Sequence, residues 1–133
     1  LPMIRPGWLL ALLLGASGAR ATESQVVLAL DIEYLQSTMP LYARIAGQAE
    51  KAASGADAQR RSELELARDL RQSEILTALP EVIAQIAGAA NADLVVDRAV
   101  ARRIGESAAH DITDEVEKVL VERFGDQPLE PAQ

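Results

Sequence analysis

Cysteine is absent from the 133 residues, so neither a disulfide nor a thiolate metal cluster can hold the fold together. Aromatic side chains are nearly absent too: Trp8, Tyr34, Tyr42 and Phe124 are all there are. Large rings bury the most area per residue, so their scarcity points to narrow helix seams rather than a deep core. Basic residues are outnumbered, 13 against 20 acidic. That balance argues against nucleic acid, whose phosphates need Lys and Arg clusters, and against simple attraction to an anionic lipid surface. A G-x-S-x-G elbow is missing, and Gly15-Ala16-Ser17-Gly18 is no phosphate loop, because it falls in an export-type leader.

That leader is the first feature present. Arg5 gives a positive start, Trp8 to Leu14 an apolar run, and Ala19-Arg20-Ala21 a small-residue cleavage pattern. The apolar run is shorter than the roughly 20 residues a membrane span takes. Residues 1–21 are expected to be a signal peptide cleaved after Ala21, giving a periplasmic chain without stable membrane insertion. Losing Arg5 and Arg20 makes the remainder more acidic than the −7 of the whole chain.

From Thr22 onward, Gln25 to Asp31 reads as a short apolar strand buried on both faces, with Val26, Leu28 and Leu30 pointing one way and Val27 and Ala29 the other. A helical stripe follows from about Glu33: Leu35, Met39, Tyr42, Ala46, Ala49 and Ala53, with Pro40 as a helix start or kink. Ala53-Ser54-Gly55-Ala56-Asp57 is the turn, with Gly55 tolerating left-handed dihedrals and Asp57 capping the next helix. That helix is predicted from about Ala58 to Ala90. Leu76, Leu79, Ile83, Ile86 and Ala90 form its seam, while Leu66 and Leu70 sit on a shifted stripe. The two segments read as an antiparallel helical hairpin over residues 33–90.

Asp93 to Asp97 is a second strand, Val100 to Ile104 a candidate third, and Gly105 to His110 a polar loop. A last helix opens at Asp111-Ile112-Thr113-Asp114-Glu115 and buries Ile112, Val116, Val119, Leu120 and Phe124. Asp111 or Thr113 caps it, and Gly125 ends it. Residues 126–133 are expected to be a disordered tail.

Ala92-Asp93-Leu94-Val95-Val96-Asp97, followed by Asp111-Ile112-Thr113-Asp114-Glu115-Val116, resembles the C-terminal region of the Skp/OmpH family of periplasmic chaperones. The first strand and the helix after it occupy the place of that family's first strand and ascending arm. The resemblance implies a homotrimer whose arms enclose unfolded outer-membrane proteins without ATP. The interval before Leu94 is short and the chain is acidic, whereas the well-known members are long-armed and basic. A short-armed, acidic member is therefore implied, and no lipid-binding residue is carried over.

The fold expected is α+β: an antiparallel helical hairpin arm projecting from a small β body completed by homotrimerisation. One subunit offers few apolar strands, and three or more with a covered face are usually needed. Val26, Leu28, Leu30, Leu94 and Val96 are the candidate trimer body. Leu35, Met39 and Tyr42 are the candidate client contacts, with simple closure of the helix seam as the alternative.

Other polar residues read as structural. His110 is expected in a solvated loop, Asp31, Glu33, Asp93 and Asp97 as strand-end residues, and Arg98, Arg102 and Arg103 as solvated or intersubunit ion-pair partners. No enzymatic activity, metal or cofactor is expected. The expected function is an ATP-independent holdase for unfolded outer-membrane proteins. A trimeric structural or adaptor protein of the cell envelope is the alternative.

Overall fold

The computed structural model describes residues 25–105 and 109–130. The expected signal peptide lies outside them. Strand β1, Val27–Leu30, is four consecutive apolar residues, and all four are buried. A π-helical turn, Tyr34–Thr38, follows. Its stop is written in the sequence: the ring of Pro40 disfavours helical dihedrals at the residue before it, and Met39 takes φ −52°, ψ 138°. Pro40 then opens helix α1, Pro40–Ala53, at the position where its missing amide proton costs nothing.

The turn into helix α2, Ala58–Ala89, uses Gly55 at φ 78° and Asp57 as the cap, whose carboxylate accepts from the Arg60 amide at 2.8 Å. Helix α2 continues through Pro80. Strand β2, Leu94–Asp97, comes next, then the short helix α3, Arg98–Arg103, strand β3, His110–Asp111, and helix α4, Thr113–Phe124.

The strands form one sheet in the order β2-β1-β3, and both pairings are parallel. Strand β1 is therefore central, with Val27 opposite Leu94 and Leu28 opposite His110. A parallel sheet needs cover on both faces. Leu28 and Leu30 join Val95 and Ile112 beneath Leu41 and Ile45 of α1, Ile75, Leu79, Val82 and Ile83 of α2, and Val116, Leu120 and Phe124 of α4. On the other face, Val27, Ala29 and Val96 pack with Ala101 of α3.

This arrangement corrects three expectations. One subunit supplies more strands than expected: three pair within the chain, so a second copy is not needed to reach a three-stranded sheet. Leu28, Leu30 and Val96 of the candidate trimer body are buried inside the chain, Leu94 is half-buried, and Val26 alone is exposed. The projecting hairpin arm gives way to a mostly helical fold, because α1 and α2 share one core with the sheet and α4. Val100 to Ile104 is not a strand. Asp97 accepts from the Ala99 amide at 3.0 Å and starts helix α3 there, and the third strand lies further on.

The last helix keeps the predicted buried face, with Val119 half-buried. Beyond it, the segment expected as a disordered tail carries contacts as far as Leu129. Arg71 donates to the Gln127 and Pro128 carbonyls at 3.3 Å each, Asp126 pairs with Arg44 at 2.7 Å, and Leu129 packs against the core.

Leu30 is wholly buried at the centre of this arrangement. Truncation there leaves a cavity that the three surrounding helices cannot collapse into. Leu30→Ala is expected to lower unfolding free energy by about 2–5 kcal/mol. Leu66→Ala, on the exposed side of α2, is expected to change it by about 0.5 kcal/mol or less. Urea unfolding of both variants checks the contrast.

Candidate functional site

Three parallel strands bring three carboxylates to one edge. Asp31 follows β1, Asp97 ends β2 and Asp111 ends β3. The carboxyl edge of an open parallel sheet is the customary place for a ligand. Here the backbone and one arginine occupy the acids. Asp31 accepts from the Tyr34 amide at 3.2 Å, and Asp97 from the Ile32 and Ala99 amides. Asp111 accepts from the Thr113 amide at 2.8 Å and from Arg98 Nη2 at 2.6 Å. Arg98 Nη1 also reaches Asp31 at 3.5 Å. Thr113 Oγ1 in turn accepts from the Asp31 amide at 2.9 Å, which ties the start of α4 to the end of β1.

The electrostatics match these roles. Burial alone would raise the Asp111 carboxyl, but the Thr113 hydrogen bonds and the Arg98 guanidinium outweigh it and hold the group below its ordinary value. Partial burial raises the Tyr34 phenol, helped by Glu117, whose carboxylate accepts a hydrogen bond from its hydroxyl at 2.9 Å. Burial pushes Tyr42 up to about 12, and its hydroxyl donates to the Leu35 carbonyl. At the opposite edge Asp93, itself buried, accepts from the Val26 amide at 2.7 Å. Among the described residues no group of His, Asp or Glu side chains is arranged to hold a metal ion. The strand-end acids thus satisfy amides and pin elements together.

The candidate client contacts sit where the seam-closing alternative puts them. Leu35 and Met39 are buried in the main core, and Tyr42 is half-buried against it. They pack into the seam. His110 is exposed at the start of β3, with Nε2 2.7 Å from Glu115.

Two surfaces on α2 remain. Where α1 and α2 meet near their connecting turn, Ala46, Ala49, Ala53 and Leu64 line a groove of about 420 Å³ together with the charged Arg61 and Glu65. Alanines leave this space because they are too small to fill it. On the outer side of α2, Leu66 and Leu70 are each 52% exposed. They stand four residues apart on one stripe. Next to Leu70, a shallow dip of about 440 Å³ runs past Ser73, Thr77 and Ala78, edged by Glu74 and Glu81. These leucines depart from the seam spacing of Leu76, Leu79 and Ile83, and that departure is the sequence signal for an outward face.

No family model, curated protein or solved structure matches the chain. Among the described residues no helix is long and apolar enough to cross a membrane.

The Arg98–Asp111 contact predicts an acid-side weakness. A carboxyl whose folded pKa is depressed adds stability that is present above its unfolded value, near 3.9, and lost as pH falls through the folded one. Asp111→Asn is expected to be less stable than the parent chain at neutral pH. The gap should close as pH drops below about 4. Urea midpoints measured across that range check it; a gap that stays constant contradicts the assignment.

Proposed function

We propose that the chain is a non-enzymatic, ATP-independent holdase of the bacterial periplasm that binds unfolded outer-membrane proteins on the outer face of α2. The observation that carries the reading is the pair Leu66 and Leu70, two large aliphatic side chains half-exposed to solvent on a helix whose other side packs Ile75, Leu79, Val82 and Ile83 into the core. Unfolded chains expose apolar segments, and a shallow apolar stripe binds them without demanding one sequence. Further support comes from the export-type leader and from the likeness of the Asp93 to Asp97 and Asp111 to Val116 segments to the Skp/OmpH family. The mode of binding differs from the arm-and-cavity one that the likeness implies: clients would be held on a surface.

The test is dilution of a urea-denatured outer-membrane protein into buffer with the chain from Thr22 onward. Suppressed light scattering at near-equal molar amounts is expected. The double variant Leu66→Ser/Leu70→Ser should lose most of that protection while keeping the parent's urea midpoint. Absence of protection at any ratio rejects the reading.

A further inference from the structure

The charges around Leu66 and Leu70 indicate which segments this face would take, an inference that rests on the binder reading above. At 3.6 residues per turn, Gln59, Ser62, Ser73 and Thr77 share the side of α2 that carries the two leucines, and all are exposed and uncharged. The charged residues that flank this stripe are Glu63, Asp69, Glu74 and Glu81.

Three of these acids have an arginine neighbour, yet in each pair the acid stands further out. Asp69 is 63% exposed against 41% for Arg68, Glu74 61% against 11% for Arg71, and Glu81 62% against 37% for Arg123. Arg71 is turned inward to the carbonyls of Gln127 and Pro128. Glu63 accepts from the neutral Gln59 amide at 3.3 Å. The outward charge along the stripe is therefore negative.

That rim discriminates among occupants. A second copy docked through the same face would set acid against acid, and an acidic client segment would meet the same repulsion. A neutral apolar segment would cover the leucines but leave the rim without partners. We infer that the outer face of α2 docks cationic, apolar peptide segments. Aliphatic side chains would rest on Leu66 and Leu70 and in the dip over Thr77 and Ala78, and lysines or arginines would meet Glu63, Asp69, Glu74 and Glu81.

Three fluorescent peptides with the same aliphatic residues, carrying lysine, glutamine or glutamate between them, test this by anisotropy against the chain from Thr22 onward. Exposed ion pairs are weak one at a time, so four together should favour the lysine peptide over the glutamine one by about tenfold. The glutamate peptide should bind more weakly than either. The preference should shrink with added salt. It should also shrink in Glu63→Gln/Glu74→Gln/Glu81→Gln, and Leu66→Ser/Leu70→Ser should lose all three peptides.

Equal binding of the lysine and glutamate peptides overturns the inference. So does self-association that Leu66→Ser/Leu70→Ser abolishes, since the occupant would then be another copy. Protection of a denatured client without charge preference removes this inference and leaves the holdase reading. Charge-selective peptide binding without client protection does the reverse.

Discussion

The fold depends on burying one four-residue strand on both faces at once. Val27–Leu30 has no solvent side, so it can exist only where two other layers meet it. One layer is built from α1, α2 and α4, which converge on Leu28 and Leu30. The other is thin: Val27 and Ala29 are covered by Val96 and the short helix α3. The small residues Ala29 and Ala101 suit that thin side, where a six-residue helix lies close to the sheet. Hydrogen bonds to β2 on one side and to β3 on the other leave β1 no free edge.

The acidic composition serves this arrangement before it serves any partner. Asp97 joins the end of β2 to the chain leaving β1 and starts α3 with the same carboxylate. Asp111 fixes the first turn of α4 and holds Arg98, which also reaches Asp31. Asp93 does the equivalent work at the other edge. A strand-end acid that accepts backbone amides is a structural device, and Asp31, Asp97 and Asp111 at the carboxyl edge all act in that way. The acids of α2 differ. Among the described residues they accept no backbone amides from other elements, and they surround two half-exposed leucines.

Much of the framework was legible because single residues carry local rules. Pro40 dictates both the break at Met39 and the start of α1. Gly55 and Asp57 make the turn before α2. The apolar runs at Val27 and Leu94 are strands, and Ile112, Val116, Leu120 and Phe124 define the buried face of α4. Other features depend on tertiary context. Val100 to Ile104 is apolar enough for a strand, and only the capping role of Asp97 decides for helix. A two-residue strand such as His110–Asp111 has no periodicity to read. That one chain pairs three strands is not legible either, because the third strand is two residues long and its cover comes from α1, α2 and α4, which are distant in sequence. Leu35 and Met39 fit either client contact or seam closure by spacing alone, and their burial in the main core is the seam-closing placement. Leu66 and Leu70 were visible as a shifted stripe, but only the packing of α2 shows that their side faces solvent.

A self-sufficient core is the central claim, and the dilution dependence of unfolding tests it most directly. Urea unfolding of the chain from Thr22 onward, followed by circular dichroism over a wide range of protein concentration, should give one midpoint throughout, because no buried residue waits for a second copy. A midpoint that falls steadily on dilution would mean that neighbouring chains complete the sheet, and would contradict the account.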